Sequence, residues 1–359
     1  MNIKTIWKGK GSHICFLVIV VLLACSPLLV SSTSMIQFLG KCMCYSIVAI
    51  SLDLIWGYTG MLSLGHGIYF CLGGYAMAMY LRLRDNGGNI TDFMQTGGLT
   101  ELPLFWKPFL HMPLAMLLAL LVPGILAAVL GFFVFRSRIK GVYFSIITQA
   151  LTWAAYSLFI ANSKYTGGNN GITDFVSLFG STRGSAHRGN LMAMFFVALL
   201  ALVLVYALAS YLVNQKFGKL LIAIRDGENR TYFSGYCVNN YKNFIYTLSA
   251  VLSALGGALF VNFNGSITPS QMTISYSITM IIWVAVGGRG TIIGAVIGAF
   301  FINLCEYHLS SGSLADIWQY IIGAIFCITI LFFKGGIVGL VREQIPAWIR
   351  RFKVKKEVV

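Results

Sequence analysis

The chain has 359 residues, 57% of them hydrophobic and 10% charged, with a formal net charge of +15. Soluble domains carry about 25% charged residues, so the composition excludes an ordinary water-soluble enzyme. Apolar runs of near-spanning length recur along the chain, and the expected fold is an all-α polytopic membrane protein.

A basic arm, 1–13, carries Lys4, Lys8 and Lys10. Ten transmembrane or re-entrant helices are then expected at 14–31, 36–56, 66–82, 112–135, 142–161, 191–213, 244–263, 273–287, 291–307 and 317–333. Together they make one transmembrane unit, 14–333, followed by a basic tail, 334–359. Leu22-Leu23-Ala24-Cys25 has the form of a lipoprotein cleavage box, but an uncleaved first span fits the charge pattern. The segments at 273–287 and 291–307 are the weakest and read equally as a re-entrant pair.

With both termini inside, nineteen of the 26 basic residues fall on the inner side, among them Arg136, Arg138, Lys140, Lys216, Lys219, Arg225, Arg230, Lys242 and Arg289. Lys41, Arg82, Arg84, Lys107, Lys164, Arg183 and Arg188 fall near or beyond the outer face. That asymmetry is the positive-inside rule, and it accounts for the charge without any nucleic acid. The eight cysteines form no CxxC pair and read as small packing residues, not as a disulfide or zinc framework. The five histidines are scattered, and no metal site or catalytic triad is visible.

Two apolar stretches, 53–79 and 283–298, are broken by glycines and small polar residues. Irregular backbone at membrane depth is tolerated only where it is buried in protein or lines a wet cavity. Interrupted apolar segments in two halves of a chain point to a transport site. Spans two to five and seven to ten are read as two related halves.

Two outer loops, near 83–111 and 162–190, carry the turn formers Asn86-Gly87-Gly88-Asn89 and Gly167-Gly168-Asn169-Asn170-Gly171. The inner loop 214–243 alternates Phe217, Leu220, Leu221, Ile224 and Phe233 with Lys and Arg, an amphipathic helical pattern. No GxxxxGK[ST] loop occurs, so the chain carries no P-loop. Gly288-Arg289-Gly290 reads as a turn between two spans.

The segments GYTGMLSLGHGIYF (57–70), RIKGVYFSIITQAL (138–151), TGGNNGITDF (166–175), 224–260 and WVAVGGRGTIIGAVIGAF (283–300) resemble the permease subunits of ABC importers for branched-chain amino acids, amides and urea. Within that family the resemblance is greatest to the urea-type subunit, on Cys44-Tyr45, 53–56, 148–150, 168–171 and Trp283.

The resemblance implies a translocation path with no covalent chemistry and no cofactor. It also implies a bacterial plasma membrane, the inner one in a Gram-negative cell. The implied partners are a second, homologous permease chain, two cytoplasmic ATPase subunits and an external solute-binding protein. It assigns ATPase coupling to Arg225, Asp226, Glu228 and Gly235, although Asn229, Arg230 and Thr231 depart from the small residues usual there.

A path for urea needs acceptors and a donor but no strong fixed charge. The candidates are Asp53, Tyr58, Ser63, His66, Tyr143, Ser145, Gln149, Asn169 and Asn170. A carboxylate inside a span is costly and by default functional, yet Asp53 near the inner end of its span reads equally as an acceptor for exposed backbone. His66 reads as the cap of a broken helix, Gln149 as an interhelical hydrogen bonder, and Asn169 and Asn170 as turn residues. Asp174 would face the binding protein. The alternatives are a branched-chain amino-acid or short-amide permease of the same family and, from another class, a passive channel or ion-coupled carrier.

Overall fold

The structure, a computed structural model, describes residues 10–30, 32–137, 139, 141–179, 187–310, 317–332 and 335–339. Among these residues the chain is helical, with one antiparallel bridge between Ile172 and Ile267. In chain order the helices are α1 (Lys10–Leu29), α2 (Thr33–Thr59), α3 (His66–Asp85), the short α4 (Asp92–Thr96), α5 (Met112–Arg136) and α6 (Val142–Ala161). They continue with the short α7 (Ser163–Thr166), α8 (His187–Asn214), α9 (Lys216–Phe233), α10 (Val238–Asn264), α11 (Ile274–Gly287), α12 (Ile292–Ser310), α13 (Trp318–Phe332) and α14 (Gly336–Gly339).

Seven of the described helices are long and apolar enough to cross a membrane: α1, α2, α5, α6, α8, α10 and α12. The other three expected spans fall on α3, α11 and α13. With 14 residues, α11 is roughly 21 Å long, short of a hydrocarbon core of about 30 Å. The buried irregular stretch before it, which holds Ile267, Pro269 and Met272, makes up part of the depth. The chain is an all-α, multi-pass membrane protein. Its termini, expected on the inner side, lie outside the described residues.

The centre is built from α2, α3 and α10, whose side chains are buried on nearly every face. Glycine makes this possible. A side chain at Gly73 would strike the carbonyl of Ala254, and one at Gly257 would strike the carbonyl of Phe70. With no side chains there, α3 and α10 approach backbone to backbone, as small residues allow in membranes. The peripheral helices turn apolar side chains outward instead. On α8 the exposed Phe196, Leu200, Leu204 and Leu208 recur every four residues, a lipid-facing stripe.

Arg82 and Arg84, two of the basic residues expected on the outer side, hold the loop of residues 174–178. Arg82 donates to the Asp174 carbonyl at 2.5 Å and to the Asp92 carboxylate at 2.6 Å. Arg84 donates to the carbonyls of Ser177 and Leu178, both at 2.9 Å, and Asp85 accepts from the Val176 amide. The second outer loop is thereby clamped on the end of α3. Asp174, placed in sequence as a docking residue, is exposed with φ 57° and lends its own carbonyl to this clamp.

Candidate functional site

The first glycine break lies between α2 and α3. Gly60 ends α2 in the left-handed conformation, φ 79°, the usual glycine role at a helix C-terminus. Residues 61–65 then run without helix until His66. One face of α6 satisfies their backbone: Ser145 donates to the Leu62 carbonyl at 2.7 Å, the Leu64 amide donates to Thr148 at 3.1 Å, and Thr152 donates to the Leu64 carbonyl at 3.2 Å. Thr148 and Thr152 lie towards the middle of α6, so α3 begins level with the middle of that helix.

Ser63 and His66 enter one buried polar cluster. The Ser63 hydroxyl accepts the Gly65 amide at 3.3 Å. The Nε2 of His66 meets the Ser249 hydroxyl at 2.7 Å, and Ser249 donates to the Ser51 carbonyl at 2.5 Å. Beside it the hydroxyls of Tyr69 and Tyr246 lie 2.6 Å apart. The capping role expected for His66 is corrected: it opens α3 as its first residue, Gly65 is the cap, and the ring reaches α10 instead of its own helix end. Its Nδ1 is buried without a hydrogen bond.

The second break, between α11 and α12, packs against the C-terminal end of α2. Gly288 and Gly290 take φ 127° and 78°, which few other residues adopt. The Gly290 amide donates to Asp53 Oδ1 at 2.7 Å. Arg289 donates to the Trp56 carbonyl at 3.0 Å with its guanidinium 5.0 Å from the Trp56 ring centre. Arg225, from α9, donates to the Gly57 carbonyl at 2.8 Å. The last carbonyls of a helix have no intrahelical partner and favour cations, so both arginines are held where α2 needs them. Burial, then the charge of Arg225, lowers the Arg289 guanidinium from its ordinary pKa, and Asp53 opposes that shift. A side chain at Gly57 would strike Asp53 and come within 2.6 Å of the Gly290 nitrogen.

Around the coupling segment, α9 bends at Gly227, whose φ of −167° and ψ of 71° are not helical. Before the bend Leu221 and Ile224 are buried. After it Phe233 is 87% exposed, with Tyr232 and Tyr236 beside it. The amphipathic pattern is therefore corrected at Phe233, because the bend resets the helical phase. Arg225 also pairs with Asp226 at 3.0 Å, and Glu228 with the buried Lys242 at 2.8 Å. Gly235, φ 86°, makes the turn into α10 and has no neighbour where a side chain would begin. A cavity of about 240 Å³ opens between α9 and the first break, lined by Gly60, Met61, Phe144, Arg225, Glu228 and Lys242.

The remaining candidates do not join one site. Tyr58 is buried beside Tyr206 and Gly290 at the inner end. Tyr143 is 73% exposed at the start of α6. Gln149 is half-buried on α6 without the interhelical hydrogen bond expected of it, and Asn169 and Asn170 are exposed in an outer turn. Sequence reasoning missed Arg289 as a partner of α2, the pair Tyr69–Tyr246, and Ser249. It also passed over Glu306, half-buried within α12, although a carboxylate in an apolar run is itself a signal. Among the described residues no group of His, Cys, Asp or Glu is arranged to hold a metal ion.

A multi-pass helical chain whose two broken segments meet at the end of one central helix is a transport permease. It belongs to the family described as branched-chain amino acid transport system, permease component, which matches residues 34–330. The chain is 22% identical over 357 residues to the high-affinity branched-chain amino acid transport system permease protein LivM of Escherichia coli, covering 92% of this chain and 76% of that one. It is 23% identical over 321 residues to the probable LivM of Methanocaldococcus jannaschii, covering 84% and 91%. To the ribose import permease protein RbsC of Haemophilus influenzae it is 26% identical over 232 residues, covering 63% and 67%. No solved structure matches. The chain is thus a non-catalytic permease component of an ABC importer, not an enzyme.

Proposed function

We propose that the chain forms one wall of an import path for a branched-chain amino acid. The observation that carries this reading is the start of α3 level with the middle of α6, reached by a broken segment held on that helix; if α6 spans the bilayer, this start lies near its midplane. A helix N-terminus favours negative charge, and half-helices pointing their N-termini at a substrate carboxylate are a recurring transporter device. An amino acid offers that carboxylate and urea does not. The relatives named for branched-chain amino acids support the same reading, so the urea assignment suggested by resemblance gives way to its alternative. In the conformation described, Gly65 and His66 are buried and Leu62 and Leu64 are half-buried, so access to the start of α3 requires the break to open.

A second permease chain would complete the path, two ATPase subunits would dock on the inner side, and an external binding protein would deliver solute. The assembly would sit in a bacterial plasma membrane. The exposed Phe233, Tyr232 and Tyr236 beyond the bend of α9 are the docking knob. The coupling residues divide by role: Arg225 ties α9 to the end of α2, Asp226 orients Arg225, Glu228 ties α9 to α10, and Gly235 sets the turn. A push on α9 then reaches both breaks at once. Arg225 carries it to Gly57, while Asp53 and Arg289 carry it from α2 to the turn at 288–291. Asp53 acts in this latch and not in the path.

Uptake of labelled leucine, urea and ribose into a strain lacking the native system and supplied with this chain and its partners tests the substrate. Leucine uptake is expected. Urea uptake without leucine uptake would return the assignment to the urea type.

A further inference from the structure

From the groove where α8 meets α9 and α10, we infer a binding site for one anionic phospholipid of the inner leaflet. The lipid-facing stripe of α8, Phe196 to Leu208, continues to the exposed Tyr211 at the helix's inner end. There a groove of about 600 Å³ opens, walled by Tyr211, Phe217, Tyr241 and Phe244, with Lys216 and Asn240 at its polar edge. Its aromatic wall is fixed by packing: the Phe217 ring lies 5.5 Å from Phe244, edge to face, and 5.9 Å from Tyr241.

The occupant follows from this arrangement. The apolar wall is continuous with the exposed apolar stripe of α8, so a lipid tail lying along that stripe reaches the groove without leaving the bilayer. Aromatic residues gather at the membrane–water interface, which sets the groove at headgroup depth. Among the described residues that line it, Lys216 is the cation and none is a carboxylate. Basic pockets between helices on the cytoplasmic side take anionic headgroups. A phosphate with a net negative headgroup satisfies Lys216, with Asn240 beside it as a neutral donor. Lys216 and Phe217 are also the first residues of α9, so a seated lipid braces the coupling helix against α10. The inference rests on the inner placement of α9 and not on which solute is carried.

Native mass spectrometry of the delipidated full-length chain, titrated with phosphatidylglycerol or phosphatidylcholine, tests it. One tightly retained phosphatidylglycerol is expected, preferred about fivefold over phosphatidylcholine, as one lysine near the surface supplies. Lys216→Gln is on the surface and should fold normally; it is expected to abolish the preference while leaving phosphatidylcholine retention unchanged. Phe244→Ala should weaken retention of both lipids. Equal retention of the two lipids by the unaltered chain, or an undiminished preference in Lys216→Gln, would overturn the site. Displacement of the lipid by an added partner ATPase would also overturn it, showing the groove to be a protein contact.

Discussion

Replacing Asp53 separates a latch from a solute-binding carboxylate. Only Oδ1 is engaged, accepting the Gly290 amide at 2.7 Å, while Oδ2 is buried without a hydrogen bond. Asparagine keeps an acceptor at Oδ1 in nearly the same shape. Asp53→Asn should therefore hold the turn at 288–291 and stay within about 1 kcal/mol of the unaltered chain. Asp53→Leu removes the acceptor and leaves the half-buried Gly290 amide unpaired, which places the cost at the low end of the range for a buried donor. That range is about 1–3 kcal/mol, and its low end weakens the latch by about 5-fold. Chemical unfolding of the detergent-purified chain reads stability, and leucine uptake per ATP hydrolysed, in vesicles with the partners, reads coupling. Asparagine should preserve both and leucine should lower both. Equal damage from the two substitutions would refute the latch, because only a role for the second oxygen or for the charge itself makes them alike.

Two further substitutions probe the coupling segment. Glu228→Gln removes the carboxylate that pairs with the Lys242 ammonium, 7% exposed, at 2.8 Å; breaking a buried pair from one side costs about 3–5 kcal/mol, and the 24% exposure of Glu228 with the cavity beside it places the expected loss at the low end. Denaturant melts should show that loss, and the double change with Lys242→Met should recover most of it, whereas simple additivity would argue against the pair. Gly235→Asp forces a side chain onto a turn at φ 86° but meets no neighbour. It should leave membrane insertion intact while ATP hydrolysis proceeds without uptake, and normal coupled uptake in that variant would count against the turn's role.

The helices were legible because membranes impose a simple code. Apolar runs and the distribution of lysine and arginine located α1, α2, α5, α6, α8, α10 and α12, and the glycines of 57–65 and 287–290 marked the breaks. What the breaks touch was not legible. Asp53 and Gly290, His66 and Ser249, and Tyr69 and Tyr246 are each separated by more than a hundred residues, and no local pattern links them. Arg225 looked like an ATPase contact because coupling segments are charged, yet it points back to the Gly57 carbonyl. The aromatic exposure at Phe233 was hidden because one non-helical residue, Gly227, shifts every later side chain around the axis. The solute was the least legible feature. Small polar residues along a path suit both urea and an amino acid, so the residue types alone do not separate the two.

A permease chain of this family would be a gate moved by subunits it does not contain. The measurement that tests this claim most directly is leucine flux in vesicles holding the purified chain and its permease partner, with and without the ATPase subunits, binding protein and ATP. The account predicts no flux until all are present, and then accumulation proportional to ATP hydrolysed. Flux through the permease chains alone would contradict it and point to a passive channel.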